Sequence, residues 1–164
     1  MAGEPSSQYP PRGLARFIMR APIWLYRLGL GRLMGKHFLL LTHTGRKTGR
    51  PRQVVLEVLR HDEASGDYII ASGHGEKSNW LLNIQKAPEV LIQVGSRRME
   101  ATAVRLSPAD GQRELLDYAR CYPFAFRAIT RRMLGQPVAA TEEECLRLAQ
   151  LVPLIALGTK QGKL

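Results

Sequence analysis

At 164 residues the chain has the length of one domain with one core, which excludes two substantial domains. Its 45% hydrophobic and 23% charged residues exclude a disordered or fibrous class. Lys and Arg number 24 against 14 Asp and Glu, and the resulting +10 predicts attraction to phosphates, anionic ligands, nucleic acid or an anionic membrane without choosing among them.

Residues 1–12, rich in Pro, Ser and Gly, read as a flexible tail. Residues 13–34 read as a basic helical segment broken near Pro22. At about 100° per residue Arg12, Arg16, Arg20 and Arg27 share one face. Two readings follow: a peripheral contact with an anionic membrane, anchored by Trp24 and Tyr26, or a helix capping the fold with its arginines in water. The same arginines, with Arg32, leave no uncharged run long enough to cross a bilayer.

From residue 35 to 164 strand signals dominate. Short apolar or β-branched runs predict strands at Phe38–Thr42, Gln53–Arg60, Tyr68–Ser72, Val90–Val94, Met99–Leu106 and Leu154–Leu157, with a hairpin at Gly95-Ser96. A short helix opens at Ser78. Ser107-Pro108 and Thr141 are N-cap signatures that predict helices over Pro108–Arg120 and Glu142–Leu151. Sequential short strands without regular βαβ alternation argue for an α+β class: a six-stranded antiparallel barrel with an N-terminal helical segment and two or three peripheral helices.

Cys121 and Cys145 form no CxxC and neighbour no His at ligand spacing, so neither a metal site nor a disulfide framework is expected. Residues 1–11 lack the pattern of a signal peptide, and a cytoplasmic protein is expected, with peripheral contact at the inner membrane surface as its variant.

Two segments carry chemistry. Thr44-Gly-Arg-Lys-Thr-Gly-Arg-Pro-Arg52 packs four cations around two glycines between strands. Glycine lets backbone N–H groups approach a phosphate, Thr44 and Thr48 add hydroxyls, and Arg binds two oxygens at once. It is not a P-loop, since GxxxxGK[ST] is absent. The residues alone divide evenly between an anion cradle and a solvated hairpin tip. The second segment, Gly73 to Asn83, leaves a strand and opens a helix, with Lys77 adding charge. Trp80 there is either a surface for a planar ring or core, and Asn83 either holds the turn or caps it. The histidines are scattered, with no Ser-His-Asp or HExxH arrangement, so in an enzyme a bound organic cofactor would supply the reactivity.

Leu41-Thr-His-Thr-Gly-Arg-Lys-Thr-Gly-Arg-Pro-Arg52, then Ala71-Ser-Gly-His-Gly-Glu-Lys-Ser-Asn-Trp-Leu-Leu-Asn83, then Pro88-Glu-Val-Leu-Ile-Gln-Val94, in that order, resemble the deazaflavin-dependent nitroreductase family from about Leu30 to Leu157. The resemblance implies a split β-barrel, making residues 35–164 a cofactor-binding domain, and hydride transfer from reduced 8-hydroxy-5-deazaflavin coenzyme F(420) to a small electron acceptor such as a quinone or nitroaromatic. It implies that Arg46, Lys47 and Thr48 hold the coenzyme's phosphate and acidic tail, with Lys77 and Trp80 along it. The cofactor-binding set over both motifs is Thr44, Arg46, Lys47, Thr48, Gly49, Arg52, Ser72, Lys77, Ser78 and Trp80.

One departure stands out. Where the best-known members carry several tyrosines near the substrate, this chain has Tyr118 and Tyr122 but no Tyr from Phe124 to Ala128, and Phe cannot donate a hydroxyl proton. Tyr118 and Tyr122 are the substrate-pocket candidates. FMN is the alternative cofactor, and a non-enzymatic binder of an anionic or hydrophobic ligand the alternative function. The loop's lack of stacking aromatics argues against nucleic acid, and analogy to related barrels suggests a homodimer.

Overall fold

The structure, a computed structural model, describes residues 22–160. The tail, residues 1–12, and residues 13–21 of the basic segment lie outside the described residues. Six strands, β1 (Phe38–Thr44), β2 (Pro51–His61), β3 (Tyr68–Ala71), β4 (Glu89–Val94), β5 (Arg97–Arg105) and β6 (Leu154–Thr159), close in the order β1-β2-β3-β6-β5-β4. Every neighbouring pair is antiparallel. Five strands run longer than their apolar patterns predict because ladder pairing continues through polar residues: His43 faces Arg52 and Thr44 faces Pro51 at the end of the β1–β2 hairpin.

Period-two alternation sorts the strands' side chains into two cores. Leu39 and Leu41 of β1, Val58 of β2, Ile70 of β3, Ile92 of β4 and Leu157 of β6 point into the barrel. Leu59, Ile69 and Leu154 point outward, beneath α2 (Pro108–Cys121), α3 (Pro123–Leu134) and α4 (Glu142–Leu151). Arg60 on β2 makes two 2.7 Å bonds to Glu114, fastening α2 to the wall. The helix not anticipated is α3. It restarts at Pro123 just after α2 ends, and Thr130 anchors it by donating to Phe126 O at 2.9 Å and accepting from Val138 N at 3.4 Å.

Residues 22–27 are helical, and here Trp24 and Tyr26 part company. Two residues apart on a helix lie about 200° apart around its axis, so only one of them can face solvent. Trp24 is exposed, with the Arg27 guanidinium 5.3 Å over its ring. Tyr26 is buried against the barrel and donates its hydroxyl to Phe38 O at 2.9 Å, so it is a packing residue and not an interfacial anchor.

Candidate functional site

The β1–β2 turn is shaped by its glycines. Gly45 N–H donates to Arg50 O and Gly49 N–H to Gly45 O, both at 2.8 Å, which folds the loop back on itself. Gly49 takes φ +65°, a left-handed value that side chains disfavour. A Cβ on Gly45 would stand 3.0 Å from Thr48 Oγ1 and 3.2 Å from Arg50 O, so bulk is excluded there.

The helix of the second motif, α1 (Asn79–Lys86), plugs the barrel end beside this loop. Trp80, Leu81 and Ile84 join the barrel core, which assigns Trp80 to packing. The opposite face of α1 grips the loop. Asn83 Oδ1 accepts from Arg46 N at 3.1 Å and from Arg46 Nη1 at 3.0 Å. Asn79 accepts from the same guanidinium through its carbonyl at 3.4 Å and its Oδ1 at 3.2 Å, while Lys86 Nζ donates to Arg46 O at 3.2 Å. Arg46 is therefore the joint between the two motifs.

Behind Asn83 sits His43, buried at the barrel end, with its Nδ1 3.1 Å from Asn83 Nδ2. Both Arg46 contacts are N–H donors, so the Asn83 oxygen must face them and its amide nitrogen must face His43. Nδ1 is then an acceptor and the imidazole proton lies on Nε2. Burial first, then the Arg52 charge facing it across the ladder, lower the His43 pKa to about 4, which agrees with a neutral ring at neutral pH.

The electrostatics of this mouth have one sign. Arg46, Lys47, Arg50, Arg52, Lys77 and Lys86 gather on the loop and the second motif, and none is in an ion pair with a described residue. Glu76, next to Lys77, is occupied by Arg105 on β5. Lys47, Thr48, Gly49, Arg52 and Lys77 are exposed and face solvent, as does Thr44 at the strand end.

Ser72 and Ser78 are buried within the second motif. Ser72 Oγ is 2.8 Å from Gly75 O and 2.7 Å from Ser78 Oγ, an arrangement that braces the turn carrying Lys77. Tyr118 and Tyr122 stand apart from the loop. Tyr118 donates its hydroxyl to Glu57 Oε1 at 2.8 Å, and burial together with that carboxylate raises its pKa. Glu57 is five residues along β2 from Arg52, about 17 Å at ~3.3 Å per residue. Tyr122 is exposed, its ring 5.4 Å from Tyr118 and edge-on to His37 at 6.3 Å.

Sequence reasoning missed His43, Asn79, Lys86 and Glu57 as parts of these arrangements. The signals were faint but present. His43 shares the inward parity of Leu39 and Leu41, and Asn79 and Asn83 are spaced i,i+4 on one helix face.

A model of the F420H(2)-dependent quinone reductase family matches residues 19–133. An F420H(2)-dependent quinone reductase of Mycobacterium tuberculosis (strain H37Rv) is 36% identical over 87 residues, 51% of this chain and 53% of that one. The chain thus spans about half the length of the curated relatives it matches. An F420-H2 dependent reductase (FDR-A) of known structure shares the fold at TM-score 0.51 and 21% identity, over 75% of this chain and 95% of that one. A solved domain-swapped dimer does so at TM-score 0.54 and 17% identity, over 88% and 99%. Since the family model covers well over half of the sequence, the chain belongs to the F420H(2)-dependent quinone reductase family.

Proposed function

We propose that the protein reduces a small electrophilic acceptor of the quinone or nitroaromatic type with reduced coenzyme F420, whose phosphate and acidic tail it grips at the basic barrel mouth. The observation that carries this reading is the set of unpaired cations around the Gly45–Gly49 turn: clustered positive side chains on a loop braced by its own backbone bonds, with no compensating carboxylate, suit a polyanionic tail. The donor chemistry therefore fits the coenzyme. When bound, the deazaflavin supplies the hydride.

The chain's own residues divide into grip and frame. Lys47, Thr48, Gly49, Arg52 and Lys77 are exposed and would meet the tail directly, with Thr44 at the loop's entry. Arg46 joins loop to helix and can offer the tail its remaining N–H groups, while Ser72, Ser78 and Trp80 keep the surrounding wall in place. Tyr122, an exposed residue, is the better placed of the two tyrosines to meet an acceptor, because Tyr118 is committed to Glu57. Orientation and charge stabilisation are the protein's contribution.

The deciding measurement is a fluorescence titration of the purified protein with F420 in both redox states and with FMN. Saturable F420 binding at micromolar concentration or tighter, with FMN weaker, supports the reading. Tight FMN binding without F420 binding moves the protein to the flavin alternative, and turnover of no quinone by an F420-binding protein leaves a ligand-binding role. The reading includes a homodimer, in keeping with the domain-swapped neighbour, which light scattering would check. It also includes a cytoplasmic location with surface contact at a membrane through exposed Trp24, Leu28 and Leu33 beside Arg32 and Lys36. Among the described residues no helix is long and apolar enough to cross a membrane.

A further inference from the structure

We propose that His43 is a positioning residue for the anion loop, acting through Asn83: as a neutral acceptor it locks in the one amide orientation that lets Asn83 hold Arg46. This rests on the reading of the loop as the coenzyme-tail site.

An asparagine amide can sit either way round, and Arg46 presents it with donors only. With Oδ1 toward Arg46, both the backbone N–H and the guanidinium are satisfied. Reversed, the amide would put N–H groups against N–H groups and leave a buried oxygen for His43. The same orientation is held from the other side, where His43 Nδ1 lies 3.1 Å from the amide nitrogen. A lone pair there accepts from Nδ2 and favours the holding orientation. A proton there would ask for Oδ1 and favour the releasing one.

The ring's surroundings keep it neutral, and a neutral ring facing Asn83 Nδ2 has its lone pair on Nδ1. His43 is 6% exposed, and Arg52 across the β1–β2 ladder and, beyond Asn83, Arg46 and Lys86 are cations that disfavour a charged ring. Because one of the two Arg46 donors is its backbone N–H, the amide's orientation fixes main chain and not merely a side chain. Lys47, Thr48 and Gly49 follow directly from that point.

The test pairs a spectroscopic readout with a ligand comparison. In cofactor-free protein at neutral pH, imidazole 15N NMR should show His43 with Nδ1 unprotonated and Nε2 protonated; a δ-protonated ring overturns the proposal. Binding is then measured for F420 and for its 8-hydroxy-5-deazaflavin chromophore lacking the phosphate and acidic tail. His43→Leu, which removes the acceptor, should weaken F420 about five- to tenfold and leave the tail-less chromophore unchanged, whereas His43→Gln, which can still accept through Oε1, should stay within about twofold of wild type. Equal losses for both ligands, or a Gln variant as weak as the Leu variant, would mean His43 is only a packing residue.

Should His43→Leu fail to fold, Asn83→Asp keeps two acceptors for Arg46 but offers His43 no donor, and His43 should then carry a proton on Nδ1 at neutral pH. An unchanged tautomer in that variant refutes the link. Wild-type protein that binds F420 and the tail-less chromophore equally overturns the tail site itself, while the tautomer spectrum still reports separately on the His43–Asn83 bond.

Discussion

The barrel mouth and the Glu57–Tyr118 corner lie on the same two-stranded hairpin yet handle charge in opposite ways. At the mouth, cations are left without carboxylates, because the chain has no Asp or Glu between Glu4 and Glu57 and because Glu76 is taken by Arg105. At the corner, the first carboxylate after that gap meets a buried tyrosine from α2, and the two satisfy each other at 2.8 Å. An open electrostatic demand marks a place where a ligand can complete the structure; a closed pair marks one where the structure is already complete. The same contrast recurs inside the second motif, where Lys77 is open and Ser72, Ser78 and Trp80 are closed.

The strongest way to break this contrast is through Trp80. If it is closed into the core, Trp80→Ala should cost about 3–5 kcal/mol by urea unfolding. A variant with unchanged stability but poor cofactor affinity would make Trp80 an open residue after all.

Acid provides the next test. The folded pKa of His43 is depressed to about 4 from an ordinary 6.5, so between those values the unfolded chain binds a proton that the folded protein does not. Stability should therefore rise from pH 4 to pH 6.5, by up to about 3 kcal/mol from this residue. In His43→Gln that part of the pH dependence should disappear. A persistent slope of the same size would place its origin elsewhere.

For the open side, Lys47→Ala combined with Arg52→Ala should weaken F420 at least about a hundredfold, since hydrogen bonds to charged groups contribute roughly 1.5–3 kcal/mol each. The loss should shrink as salt is raised, because exposed charges are screened. A titration showing less than a fivefold change would mean these cations are merely solvated.

Smallest is the closed corner. Tyr118→Phe removes the donor to Glu57 and should destabilise the fold by about 1–2 kcal/mol, leaving F420 affinity intact. Lost quinone turnover at normal stability would instead return Tyr118 to the substrate pocket.

Much of this was legible before the fold was known, and the reasons are local. The apolar run at Phe38–Thr42 and the β-branched residues of Gln53–Arg60 identified strands; Ser107 and Thr141, each accepting a backbone N–H of the following turn, marked helix starts. The clustered cations and glycines of Thr44 to Arg52 marked the anion-binding candidate. What stayed hidden had partners far along the chain: α3, whose docking depends on Val138 meeting Thr130, and the fate of Trp80, whose helical spacing suits core and ligand wall alike.

By itself, then, the sequence determined where charge is concentrated, which short segments are apolar or β-branched and where the glycines permit a tight anion-sized turn, because each depends on residues a few positions apart. Only the tertiary structure decided which of those charges remain free. Arg46 and Asn83 are 37 residues apart, His43 and Asn83 40, and Tyr118 and Glu57 61. A hydrogen-bond donor counts as open or closed only once barrel closure has brought its partner within about 3 Å, and no local pattern records that distance.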